Sequence, residues 1–286
     1  MDGVGSVKMP RSATRTLVLI PVAIALNIAL GSTVQQALKL PIYLDSVGTV
    51  LTSVLAGPIA GLATGALTNI IWAYVLPPPL QAPTAGPFAV TAAVIGLLAG
   101  FWGWLGLFRA RRTTDPRSQV AALAAAALVA LVIAYTFSRV YTNPQRFNSV
   151  TGFNVNTFEL SELAFVVVIV VFVLLGAGLL FARRNAGAVL ALAAGLVTGL
   201  VAALVSAPIS AYVFGGVTGF GGDAIVAAFR TAGSSLYQAT LQQGLLSDPL
   251  DKMITSLLVF FVLAAMPRRL LARFPNGDRL VGAEPA

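Results

Sequence analysis

Amides and aromatic rings, rather than acid–base pairs or metal ligands, stand at meaningful intervals in this sequence. Gly61, Gly65, Thr68, Asn69 and Trp72 fall three or four residues apart, on one face of a helix. Ser234, Gln238 and Gln242 recur every four residues, with Tyr237 beside them. Gln35, Tyr43 and Asp45 cluster around Pro41, Phe220 lies inside the glycine-rich run 215–223, and Lys252 follows Asp248, Pro249 and Asp251. Such groups stack on flat rings and exchange hydrogen bonds with them, so they hold a ligand without transforming it. The sequence has no His and no Cys, which removes the commonest general base, the commonest nitrogen ligand for metals and any thiolate nucleophile. The expectation is a binding protein, not an enzyme, with no catalytic residue, no metal site and no cofactor.

Each of these side chains also has an ordinary structural use. Pro41 stops a helix, so Asp45 is either the cap of the next one or a ligand contact. Tyr43 suits a ligand or an interfacial aromatic belt. Gly61 and Gly65 permit close helix packing, after which Asn69 either bridges two helices or faces a cavity with Trp72. Asp248-Pro249 reads as a helix start, and Asp251 suits the first turn. Lys252 opposes the helix dipole there, so pairing with Asp248 or Asp251 is the favoured reading and capture of a ligand carboxylate or phosphate the other. The glycine-rich run is no dinucleotide fingerprint, because residue 224 is Ala and no strand precedes it. It is no phosphate loop, because no Gly-Lys-Ser/Thr follows, and no Gly-x-Gly-Asp protease signature, because Phe220 precedes Gly221-Gly222-Asp223. A lid over an outward-facing pocket and a plain connecting turn remain.

Only a membrane bundle can position these groups. Of 286 residues, 57% are hydrophobic and 10% charged, and mean hydropathy is +0.88; a soluble domain carries about 25% charged residues. A helix needs about 20 apolar residues to cross the hydrocarbon core, and apolar segments lie at about 16–37, 46–56, 59–76, 88–108, 119–141, 163–182, 188–214 and 250–267. That predicts eight spans, with 1–15 and 269–286 as cytoplasmic tails, 16–268 as the transmembrane domain and no cleaved signal peptide. The pair at 119–182, nearly pure Ala, Val, Leu and Ile, looks like an inserted hairpin. With both ends inside, 13 of 18 Lys and Arg fall on the cytoplasmic side, while six of ten acids fall outside. Topology therefore accounts for the net charge of +8, and no nucleic-acid partner is expected.

The run Leu-Pro-Ile-Tyr-Leu-Asp-Ser-Val-Gly-Thr from Leu40, continuing through Leu-Ala-Gly-Pro-Ile-Ala-Gly-Leu-Ala-Thr-Gly-Ala-Leu-Thr-Asn to Asn69, resembles the substrate-binding S components of energy-coupling factor (ECF) transporters. Ala25-Leu-Asn-Ile-Ala29 is similar to the Ala-x-x-x-Ala motif by which S components contact the transmembrane coupling subunit. The similarity covers about 16–108 and 188–268. It implies an all-α polytopic bundle, a six-helix core plus the inserted hairpin, in a bacterial or archaeal inner membrane. It also implies a bound small-molecule substrate near the outer surface, and the amides and aromatics, with no outward cluster of Arg or Lys to demand a polyanion, suit a flat, largely neutral heterocycle such as a vitamin, nucleobase or nucleoside. The implied partners are a coupling subunit meeting Ala25 and Ala29, two ATPases and the lipid bilayer. Gln35, Tyr43, Asp45, Asn69, Trp72, Phe220, Tyr237, Gln238, Gln242 and Lys252 are the expected substrate contacts. A stand-alone membrane transporter or a sensor or scaffold is the alternative; the absence of an acid at mid-membrane depth, as the spans are read, counts against the first of these.

Overall fold

A computed structural model describes residues 11–37, 42–110, 120, 186–231 and 233–281. The expected hairpin at 119–182 lies outside them, apart from residue 120, as do Lys39 and Pro41. The described residues form helices and no strand: α1 (Arg11–Gly31), α2 (Val47–Ala56), α3 (Pro58–Tyr74), α4 (Ala89–Trp104), α5 (Ala186–Tyr212), α6 (Asp223–Thr231), α7 (Leu236–Ala265), α8 (Arg268–Leu271) and α9 (Gly277–Val281). A π-helical turn, Ser32–Ala37, extends α1, and a 3-10 turn, Pro83–Phe88, leads into α4. Three helical stretches, Thr14–Gln35, Pro83–Trp104 and Ala186–Tyr212, are long and apolar enough to cross a membrane, the mark of a membrane protein.

Three of the expected elements take a different form. The segment at 46–56 becomes α2, whose 10 residues rise about 15 Å, half of a hydrocarbon core of roughly 30 Å. It is a half-length helix, and Gly57-Pro58 turns the chain directly into α3, with Pro58 in the first turn. The expected helix start at Asp248-Pro249 does not occur. The 30-residue α7 begins at Ser235, which caps it, and runs on through Pro249. A proline forfeits one backbone bond, but ending a helix inside an apolar bundle would strand several. The expected tail from 269 folds back as α8 and α9, with Leu271 and Leu280 joining the main core.

Close approach of small residues holds the bundle together. α5 packs along α7, and α3 along α4, with α2 wedged between them. A methyl on Gly195 would land on the Lys252 carbonyl, and one on Gly199 on the Asp248–Pro249 backbone. This Gly195/Gly199 seam therefore faces α7 of the same chain. A methyl on Gly96 would strike the Gly61 carbonyl in the same way. Without water in the bilayer, such contact supplies dispersion energy that longer side chains would forfeit by holding the helices apart.

One buried amide ties the first three helices. Asn27 Nδ2 donates to Thr49 Oγ1 at 2.8 Å and to Thr68 Oγ1 at 3.0 Å, while its Oδ1 accepts from the Gly48 amide at 2.7 Å. Asn27 is wholly buried, so α1, α2 and α3 meet at a point where all its polar capacity is used.

The two ends of the bundle differ chemically. At one end the α1 start, the α2–α3 turn, the α4 end and the α5 start gather under α8 and α9. There Arg15 donates to the Arg273 carbonyl at 3.0 Å, and Asn276 donates to the Leu55 and Val54 carbonyls. Arg279 donates to the Trp104 carbonyl at 3.0 Å and lies over its ring. Arg11, Arg109, Arg268 and Arg269 belong to this end as well. At the opposite end, the chain after α1, the α3 end and the loop between α5 and α6 surround an opening.

Candidate functional site

The loop before α2 is built into the bundle by charge. Asp251, wholly buried about midway along α7, accepts from the backbone N–H groups of Tyr43 and Leu44 at 3.0 and 2.7 Å. Those bonds hold Leu44 at φ +51°, a left-handed conformation that costs a branched residue on the order of 1–2 kcal/mol. Lys252 Nζ donates to Asp251 and, at 2.8 Å, to Ser46 Oγ, and lies 3.7 Å from Asp45. Its three hydrogens thus have three oxygen neighbours within the protein. Of the two readings for Lys252, the pairing is what the structure contains. Asp45 does not cap α2, since Ser46 occupies the cap position without a side-chain bond. Instead it accepts from Gln35 Nε2 at 3.0 Å and faces Lys252.

Above this cluster lies a cavity of about 100 Å³, several times the 10–15 Å³ or so a single buried water requires. Gln35, Tyr43, Asp45, Asn69, Trp72, Phe220 and Lys252 line it. Seven of the ten expected contacts are therefore brought together from the π-helical turn after α1, from α3 and α7, and from two loops. Trp72 donates its indole N–H to the Leu80 carbonyl at 2.9 Å, which fixes the ring, and Phe220 leans on it with centroids 6.3 Å apart. Asn69 is not the interhelical bridge; Asn27 has that role, and the Asn69 amide faces the cavity.

Tyr237, Gln238 and Gln242 lie elsewhere. Gln238 forms a reciprocal capping box with Ser235, accepting from the Ser235 amide at 3.1 Å and donating its own backbone N–H to Ser235 Oγ at 3.3 Å. Gln242 accepts from Ser234 Oγ at 3.1 Å, and both glutamines border a separate shallow groove. Tyr237 stacks on Tyr212 at the rim, with centroids 6.1 Å apart. The capping box was readable as Ser-x-x-Gln at 235–238.

The cavity also takes residues that the spacing argument passed over. Gln243, next to Gln242, donates to the Tyr43 hydroxyl at 2.8 Å. Asp248 reaches the cavity from α7 and accepts from Ser206 Oγ at 3.3 Å. Ser206 and Ser210 lie four apart on α5 and both line the cavity, a polar stripe that was legible in an otherwise apolar span. Thr91 and Phe88 contribute from the α4 start. The glycine-rich run closes one side through Thr218, Phe220 and Gly222. Asp223 gathers that loop, accepting from the Thr218 amide and hydroxyl and from the Gly219 amide. Gly216 and Gly219 take φ of +82° and +84° there, where other residues would be strained.

Among the described residues, no three acid, His or Cys side chains converge as ligands for a metal ion. No family model, curated protein or solved structure matches this chain.

Proposed function

We propose that this chain is the substrate-binding S component of an ECF-type importer for a small organic micronutrient, multi-pass in a bacterial or archaeal inner membrane with both termini cytoplasmic. A coupling subunit and two partner ATPases drive the uptake. The observation that carries this reading is the cavity at the end of the bundle away from all the described arginines but Arg230, walled by amides, aromatics and a glycine-rich loop. By the positive-inside rule the arginine end faces the cytoplasm, so the cavity opens outward, as an importer's receptor requires. The test is purification of tagged protein from its native membrane. Copurification of a coupling subunit and ATPases, with a small molecule released on denaturation and identified by mass spectrometry, is the expected result. Substrate uptake by vesicles holding this chain alone would overturn it.

A second reading, a self-sufficient transporter, has one observation in its favour. Asp248 and Asp251 lie buried midway along α7, whereas the sequence places them at the start of a span. Buried acids at such depth are where ion coupling resides. Uptake that follows an imposed proton gradient and ignores ATP is its signature.

A further inference from the structure

Among the described residues, the cavity wall holds more acidic than basic side chains. Asp45, Asp223 and Asp248 line it, against Lys252 as the one cation among its lining residues. These acids are not equally engaged. Asp223 holds three donors of its own loop, and Asp45 accepts from Gln35 and faces Lys252. Lys252 is itself occupied by Ser46, Asp251 and Asp45. Asp248 has one donor, the Ser206 hydroxyl at 3.3 Å, at the long end of hydrogen bonding. It is 5% exposed, and a carboxylate so enclosed is costly without a countercharge.

Two further side chains point to an occupant. Asn69, 6% exposed, lines the cavity, and its amide has no hydrogen-bond partner among the described residues. Thr91, 7% exposed, lines it too, with a hydroxyl that has no hydrogen-bond partner among the described residues. Buried polar groups are almost always satisfied, so an unpaired amide and hydroxyl on the same cavity wall as Asp248, whose one donor is Ser206, suit a polar guest. Trp72 and Phe220 add ring surfaces, which attract cations as well as flat apolar frames.

We propose that the cavity binds a small organic cation, an ammonium or quaternary nitrogen borne on a flat ring, with Asp248 as counter-ion, Trp72 and Phe220 as ring contacts and Asn69 as the hydrogen-bonding group. This deepens the importer reading by naming a substrate class, and it rests on that reading only for the direction of transport. An organic cation fits better than a metal ion, since the acids do not converge as metal ligands. Among the described residues, an anionic ligand would meet Asp248 and find no free cation.

The test uses the full chain in lipid nanodiscs, with binding followed by calorimetry for three probes of one frame: benzyltrimethylammonium, benzyl alcohol and benzoate. The expected order is the ammonium at least about ten-fold tighter than the alcohol, with no detectable benzoate binding. Asp248→Asn is expected to weaken the ammonium by about ten-fold or more and leave the alcohol unchanged, which also reports that the variant is folded. Equal or tighter binding of benzoate or benzyl alcohol by the unaltered chain overturns the proposal without recourse to any variant. So does an Asp248→Asn protein that keeps full affinity for the ammonium, or failure of all three probes to bind. Loss of partner ATPases on copurification would sink the importer reading and leave this result untouched, so the two failures are distinguishable.

Discussion

Asp251 serves two purposes at once: it accepts the Tyr43 and Leu44 amides and balances Lys252. Removing it takes the nearest carboxylate from a buried ammonium and leaves two part-buried N–H groups without their acceptor. Asp251→Ala is therefore expected to cost about 3–5 kcal/mol, the range for breaking a buried ion pair from one side, seen as a lower unfolding midpoint in detergent. Because an apolar pair of similar volume escapes the desolvation penalty, Asp251→Leu with Lys252→Met is expected to recover much of that loss. Recovery would assign the pair to specificity of the fold; its absence would show that the Leu44 loop needs the carboxylate itself. At the ligand, Asn69→Ala is expected to weaken binding by about ten-fold, since a hydrogen bond to a charged or polar guest is worth on the order of 1–2 kcal/mol. Gln238→Ala is expected to leave binding within about two-fold, because that side chain caps α7. Equal losses in the two, measured by titration with the retained ligand, would put the cavity in the wrong place. Residue type made Asn69, Trp72 and Gln35 readable in sequence, because polar groups are costly in apolar spans unless protein or water receives them. The four-residue recurrence of Gln238 and Gln242 was misleading because the same spacing also serves a capped helix start, and period alone does not say which face turns inward.

Among the described elements, the helices on apolar runs were legible from hydropathy, and most of their joints were not. The α2–α3 break followed from Gly57-Pro58, whose geometry is local. The passage of α7 through Pro249 was not, since it depends on Gly199 receiving the Pro249 backbone, a contact 50 positions away in sequence. That same contact yields a prediction. Gly199→Leu forces α5 from α7 along their seam, and overpacking of this kind costs about 1–3 kcal/mol or more. The expected signs are a lowered unfolding midpoint and weaker ligand binding, because Ser206 and Ser210 on α5 would move away from Asp248 on α7. Gly215→Ala is the control; nothing lies near its missing side chain, though its φ of +61° disfavours Ala, so a loss of about 1 kcal/mol sets the backbone cost alone. Similar losses in both would mean that the seam does not set the cavity.

For the whole molecule, the gathering of all the described arginines but Arg230 at the end away from the cavity determines which surfaces remain for partners. α1 is the least buried of the three long apolar helices. Its inner side is spent on Asn27 and on the Gly48 approach at Ala23, whereas Ala25 and Ala29 are exposed on its outer side beside Val18, Val22 and Leu26. Small residues on an exposed apolar helix contribute little against lipid, whose tails reach any contour, but they admit close approach by another helix. If α1 is where the coupling subunit docks, Ala25→Leu with Ala29→Leu fills the groove from outside and leaves the Asn27 hub, the glycine seam and the cavity unaltered. The expected result is an unchanged unfolding midpoint, unchanged ligand affinity and a loss of about ten-fold or more in copurified coupling subunit. Copurification at the original level would assign this face to lipid and move the docking surface elsewhere on the bundle. A fall in ligand affinity together with copurification would instead show that α1 carries strain from its outer face to Gln35 and the loop held by Asp251.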